Sequence, residues 1–255
     1  MKKIIVHIGP HRTGSTSIQR LLKDNINFLS QSYYIPKSGQ ISKDIVNHAN
    51  LCWELMQPFE KRFIKQYGTI KDLLLEIKGI SQTILVSSEA FVFVLTKIKL
   101  KKIFEKQMLE AGYQIHYLMI RRIDINLYNS LFSLLQNFYQ KKMYIKDIKP
   151  LSFFKEIIIF GKIKSFIIGQ NGQFYFYYDS YLLEKDIRKE SRCSLDIINY
   201  DKNLLINFLI YLKLNQQNIL FNQNLNKTNW SHKFYFFSIL SWFIRLFLNW
   251  IYKIK

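Results

Sequence analysis

The segments Thr83-Ile84-Leu85-Val86-Ser87 and Ile115-His116-Tyr117-Leu118-Met119-Ile120 are apolar almost throughout, without the polar alternation of a half-exposed strand. A strand that is apolar on both faces must be covered on both faces, which is the condition of a parallel sheet packed between helices. Helical periodicity separates these runs along the chain. Strands are predicted over 3–8, 32–36, 82–88, 114–120 and 194–199, and helices over 15–30, 42–57, 59–79, 97–111, 124–143, 151–163 and 202–214. The fold class that follows is α/β, a three-layer P-loop-like fold with a central parallel sheet flanked by helices. Ligands of such sheets gather beyond the carboxyl ends of the strands.

With 255 residues, 49% hydrophobic and 16% aromatic, the chain has ample material for a core, and disorder is excluded. No internal repeat or Pro/Gly/Ser-rich linker divides it. We expect one α/β domain over 1–230 and a C-terminal apolar, amphipathic helix in 231–255. Cys52 and Cys193 are too few for a disulfide framework and lack zinc spacing, so both read as free thiols in a reducing compartment. The apolar run Ile4–Ile8 is shorter than the roughly 7–15 residues of a signal peptide. It reads as a strand, which makes the cytoplasm the expected location.

After that strand comes Gly9-Pro10-His11-Arg12-Thr13-Gly14-Ser15-Thr16, followed by the helical pattern Ile18, Leu21, Leu22. A glycine turn that opens a helix presents backbone N–H groups and the positive helix end to an anion. The glycine spacing fits the nucleotide triphosphatase loop, but its lysine position holds Ser15. The cation sits instead at Arg12. The run His7-Ile8-Gly9-Pro10-His11-Arg12-Thr13-Gly14-Ser15-Thr16 resembles the loop of bacterial carbohydrate-type sulfotransferases, which use 3′-phosphoadenosine 5′-phosphosulfate (PAPS). That loop often runs H-I-G-x-H-K-T-G-T-T. The departure is Arg12 for lysine, which keeps the charge and changes its donor geometry.

A second stretch agrees. Arg122 follows the fourth strand and Ser130 lies eight residues on, so a guanidinium and a hydroxyl form a fork suited to a phosphate. The family's R-x7-S pattern binds the 3′-phosphate of PAPS, and Arg122…Ser130 is similar to it. Weaker echoes are Tyr33–Gly39 with Asn47-His48-Ala49-Asn50-Leu51, and the S-S-E element Ser87-Ser88-Glu89.

The resemblance implies sulfonate transfer from PAPS to a hydroxyl of a carbohydrate or glycolipid. Pro10, His11, Arg12, Thr13, Gly14, Ser15 and Thr16 would hold the 5′-phosphosulfate, with Arg12 stabilising the departing bridging oxygen. Arg122 and Ser130 would hold the 3′-phosphate. No metal is implied, since no His/Asp/Glu spacing suits one. An acceptor hydroxyl needs a general base. Glu89, just after a buried strand, and His48, at a helix head, are the candidates, with His11 in the loop as the outsider that could instead contact the donor. Glu89 equally fits a helix cap and His48 a structural polar group.

The formal charge is 37 − 18 = +19. Such an excess suits an anionic partner, and it equally fits a solvated background of the lysines that A/T-rich codons supply. Residues 234–252 are apolar over about 28 Å of helix, with Ser238, Ser241, Arg245 and Asn249 on one stripe. That pattern fits peripheral contact with a membrane interface, it also fits a helix packed on the domain, and a true membrane anchor is a third, less favoured alternative because of the central Arg245. Two further readings remain: a P-loop nucleotide kinase or triphosphatase, and a basic membrane- or nucleic-acid-binding module without catalysis. Nucleic acid is not the expected partner, because the charges are scattered rather than grouped with aromatics.

Overall fold

The computed structural model describes residues 2–57, 60–123, 127, 130, 162–165, 174–214 and 219–220. The chain divides into one unit of Met1–Arg121 with Asp186–Leu225, and a second of Arg122–Lys185 with Asn226–Lys255. The expected helices over 124–143 and 151–163 lie almost wholly outside the described residues, as do all of 231–255.

The first unit holds a five-stranded, all-parallel sheet. Its strands are β1 (Lys2–Ile8), β2 (Tyr33–Tyr34), β3 (Thr83–Ser88), β4 (Tyr113–Arg121) and, last in chain order, Ser194–Asn199, numbered β7 below. The order across the sheet is β2-β3-β1-β4-β7, with β1 central. Register pairs Ile5 with Leu85 and with His116, and the latter with Ser194. Residues in register share a face, so one face carries Ile5, Leu85, Leu118, Ile120 and Ile198. These pack with Ile18, Leu21 and Leu22 of α1 (Ser15–Asp24) and with Leu204, Phe208 and Leu209 of a late helix, Leu204–Tyr211.

The opposite face carries Ile4, Val6, Ile84, Val86, Ile115, Tyr117 and Met119, all buried. Tyr113 donates its hydroxyl to the Ile77 carbonyl of α4 (Ile70–Ile77) at 2.7 Å. Tyr117 donates to Glu105 of α6 (Ile98–Glu110) at 3.1 Å. The three-layer α/β arrangement expected from the apolar strands is therefore the one formed.

Helix ends differ from the periodicity for local reasons. The run 15–30 is cut at Asn25, whose side chain donates to the Leu21 carbonyl at 2.9 Å and ends α1; α2 (Ile26–Leu29) follows. The run 42–57 yields only α3 (Ala49–Leu55), because the His48 N–H is bonded to the Ser87 carbonyl at 2.8 Å. The run 59–79 starts late, at α4, where Thr69 and Asp72 form a reciprocal capping box just after Gly68. The short α5 (Phe91–Leu95) follows β3 directly.

In the second unit, β5 (Lys162–Ser165) pairs antiparallel with β6 (Phe174–Tyr177). Lys162 and Ile163, expected at the end of a helix, are thus strand residues. Helix α7 (Ser180–Arg188) was not expected; Asp179 starts it by accepting from the Tyr181 and Leu182 N–H groups at 2.8 and 3.0 Å. The last helix, Leu204–Tyr211, is α8.

Lys101 shows how buried charge is accommodated. Its side chain is fully buried, and its ammonium donates to the carbonyls of Asp186, Ile187 and Lys189 around the carboxyl end of α7. Helix carbonyls without intrahelical partners and the negative end of the dipole suit a cation. Burial lowers its pKa, with Glu105 opposing the shift. Lys101→Met should cost about 2–4 kcal/mol of stability, because three carbonyls lose one donor. Chemical denaturation of the two proteins checks this.

Candidate active site

The glycine loop leaves β1 at the carboxyl edge of the sheet and enters α1. Its interior is knitted around one acceptor. The Pro10 carbonyl receives the Thr13 N–H at 3.2 Å, the Thr13 hydroxyl at 2.6 Å and the Ser15 hydroxyl at 3.4 Å. Thr13 and Ser15 are both buried. Ser15 folds back beneath the loop, so closely that a Cβ added to Gly9 would lie 1.9 Å from its hydroxyl oxygen. Glycine is therefore required at position 9 by space. Gly9→Ala should cost about 1–3 kcal/mol through overpacking, read as a fall in thermal midpoint.

Gly14 is required by backbone conformation as well. It caps α1 at φ 81°, and a Cβ there would meet Leu204 at 2.5 Å. As a glycine it brings no side-chain cap, so the first N–H groups of α1 are left to other acceptors. Arg12 takes φ 65°, a conformation that costs a residue with a Cβ roughly 1–2 kcal/mol. Thr16 is part-exposed at the start of the helix. A turn of this build offers backbone donors, a helix dipole and one guanidinium to an anion.

β1 and β3 pair Ile8 with Ser88, so the residues after them leave the sheet side by side. This brings His11 and Glu89 together: Nδ1 of His11 lies 2.7 Å from Oε2 of Glu89. Their side chains are 18% and 28% exposed, so the pair is partly open to solvent. The His11 ring also packs against Phe93, centroids 5.9 Å apart. Glu89 does not cap the following helix, whose Ala90 N–H is instead taken by the Ser88 hydroxyl at 3.1 Å.

His48 stands differently. It is fully buried, its Nδ1 accepts from the Ser87 N–H at 3.1 Å, and its Nε2 faces the Pro36 carbonyl at 2.9 Å. One neutral tautomer satisfies both bonds. Burial pushes its pKa down to about 4. A ring engaged on both sides and shut from solvent braces β3 against the Pro36 turn. That placement supports the structural alternative for His48 over the base. Ser87 also holds His7, whose Nδ1 lies 2.8 Å from its hydroxyl. His7 is fully buried, and burial lowers its pKa to about 3.

Arg122 and Ser130 fall in the second unit. The Arg122 carbonyl accepts from the Ser180 hydroxyl at 2.8 Å, and Ser130 is helical and buried. Sequence reasoning gave His11 as an outside candidate for the base or a donor contact, and did not foresee its pairing with Glu89. The two are far apart in the chain, and only strand register brings them together.

No family model and no curated protein matches this sequence. Among solved structures, one from the PezAT chromosomal toxin–antitoxin system of Streptococcus pneumoniae is similar at 13% identity, covering 98% of this chain and 88% of that one, with a TM-score of 0.40. A likeness that loose carries no argument about fold or function.

Proposed function

We propose that this protein is a PAPS-dependent sulfotransferase that sulfates a hydroxyl of a carbohydrate or glycolipid. The observation that supports it most is the loop, an anion-binding turn whose one cation is Arg12. The position that holds lysine in a nucleotide kinase is Ser15, and its side chain is buried beneath the turn at 2% exposure. A kinase or triphosphatase would lose its phosphate-bridging cation there, which disfavours the runner-up reading.

The chemistry is in-line displacement at sulfur. By analogy with phosphoryl transfer, the protein mostly positions the reactants and stabilises charge spread over oxygens. The loop N–H groups with Thr13, Gly14, Ser15 and Thr16 form the cradle for the 5′-phosphosulfate. Arg12 neutralises charge on the oxygen that bridges phosphorus and sulfur as that bond breaks. Arg122 and Ser130 are assigned to the 3′-phosphate on the sequence pattern alone. The acceptor's proton leaves towards the Glu89–His11 pair.

Cytoplasmic location and contact with the inner membrane face through 234–252 belong to the same proposal. No helix among the described residues is long and apolar enough to cross a membrane. The test is transfer of labelled sulfonate from PAPS to a mixed oligosaccharide and glycolipid extract. Arg12→Ala and Glu89→Gln should both abolish most of the label, and full activity in both would sink the reading.

A further inference from the structure

We propose that the sheet edge opposite the glycine loop binds the phosphate headgroups of an anionic lipid surface through Lys2, Lys3, Lys71 and Lys78. The site is independent of the sulfonate chemistry. A cavity of about 900 Å³ opens there, at the amino ends of β1, β3 and β4. Lys2 and Lys3 come from β1, Lys71 and Lys78 from α4 and its carboxyl end, and Thr83 and Tyr113 from the neighbouring strands. β1 is seven residues long, so the cavity lies about 20 Å along the strand from the loop. A space of this size takes a headgroup rather than a single small ion. Its mouth is unobstructed, because a Cβ added to Gly79 or Gly112 would meet nothing within 4 Å.

The charge around the cavity is one-sided. Four of the twelve lining residues are lysines and none is acidic, in a chain with 37 basic to 18 acidic residues. Lys2, Lys71 and Lys78 are exposed and Lys3 is half-buried. None of the four forms an ion pair among the described residues. The acids of α4 and α6 are engaged elsewhere. Asp72 serves the Thr69 capping box, and Glu76 accepts from the Tyr34 hydroxyl and the Lys37 and Ser38 N–H groups. Glu105 accepts from the Tyr117 and Ser191 hydroxyls, and Glu110 faces Lys106. The carboxyl ends of the two helices each add roughly half a negative charge, which four ammonium groups outweigh. Unpaired like charges around one space repel one another, and a bound anion relieves that repulsion.

The kind of anion follows from what accompanies the lysines. Lys71, Leu74, Leu75 and Lys78 are spaced at i, i+3, i+4 and i+7, so α4 presents them along one stripe. Leu75 is 61% exposed on that stripe. Exposed leucine flanked by lysines suits a membrane interface, where the apolar group enters the surface and the long lysine stems lift their charges to the phosphates. A soluble polyanion would leave Leu75 in water. Nucleic acid is also a poorer fit, since the aromatic in the lining, Tyr113, is buried with its hydroxyl given to Ile77 and offers no face for a base.

Cosedimentation of the full-length protein with vesicles tests this, using phosphatidylcholine alone and phosphatidylcholine mixed with phosphatidylglycerol. Apolar contact through 234–252 would raise binding to both alike, so the difference between them reads the lysines. The wild type should prefer the mixed vesicles. Lys2→Gln, Lys3→Gln, Lys71→Gln and Lys78→Gln combined should weaken that binding by about 10²–10³-fold and leave binding to neutral vesicles unchanged. The control removes the same charge elsewhere, at the exposed Lys43, Lys61, Lys99 and Lys202, each changed to Gln. It should cost less than about tenfold, because distant surface charges are screened. Equal losses in the two proteins would make the binding a matter of net charge and overturn the site. Should the fourfold variant fail to fold, Lys71→Gln with Lys78→Gln, both exposed, should still cost about 30-fold. Leu75→Ser should cost about tenfold on mixed vesicles and leave binding of inorganic tripolyphosphate unchanged. If tripolyphosphate or a single-stranded oligonucleotide binds the wild type and not the fourfold variant, while both bind vesicles equally, the lipid assignment is overturned.

Discussion

If the protein is the sulfotransferase proposed above, Arg12→Ala should lower turnover of PAPS by about 10²–10⁴-fold, equivalent to roughly 3–5 kcal/mol of transition-state stabilisation. The size follows from where the residue sits. Arg12 occupies a left-handed turn between Gly9 and Gly14, on a loop whose Thr13 and Ser15 hydroxyls are turned inward to the Pro10 carbonyl. In the proposed reaction its guanidinium would stabilise the oxygen that becomes anionic as the bond to sulfur breaks. Two companion variants separate charge from backbone strain. Arg12→Gly should be as inactive as Arg12→Ala yet more stable by about 1–2 kcal/mol, because glycine accepts the positive φ without cost. Arg12→Lys should recover most of the activity, since it restores the cation. Steady-state kinetics and thermal denaturation on the three proteins read both effects.

Acidification below about pH 6.5 should destabilise the protein through two buried histidines. In the unfolded chain His7 and His48 take up protons from about pH 6.5 downward. In the folded protein burial delays this to about 3 for His7 and about 4 for His48. The unfolded state therefore binds more protons throughout this window. Stability is complete above pH 6.5 and falls as pH drops towards the folded values. By pH 4.5 the two groups together remove roughly 4–5 kcal/mol, a large share of the stability of an ordinary domain. Both rings bond Ser87, so their protonation would break the bonds that fix the end of β3 beside the loop. Denaturant titrations between pH 7 and 4.5 check the prediction. His48→Gln should roughly halve the slope below pH 6, from about 2.7 to about 1.4 kcal/mol per pH unit. A stability that stays flat over that range would contradict it.

The sheet was legible because β1, β3 and β4 are apolar on both faces, and continuous apolar runs have few other uses in a chain of this size. The loop was legible because two glycines, a cation and small hydroxyl residues must keep their spacing to form such a turn. The capping box at Thr69 and Asp72 and the Asp179 start of α7 were also present in the letters, although helical periodicity alone passed over them. Other features arise only in three dimensions. His48 looks the same in sequence whether it braces a strand or faces a substrate, and only its burial between Ser87 and Pro36 separates the two. The meeting of His11 and Glu89 depends on the register that sets Ile8 beside Ser88. Lys101 reads as one more solvated lysine, and it is instead the donor for three carbonyls at a helix end. Of the +19 charge, then, the structure gives Lys101 a fixed task and places Arg12 in the glycine loop between β1 and α1.

The most direct test of the account is ligand-dependent thermal stabilisation of the full-length protein. 3′,5′-Adenosine bisphosphate should raise the melting midpoint in a saturable way, and Arg12→Ala should weaken that response, while ATP with magnesium and single-stranded oligonucleotides should leave the midpoint unchanged. Stabilisation by ATP with magnesium, and none by the bisphosphate, would contradict it and turn the loop towards nucleotide triphosphates.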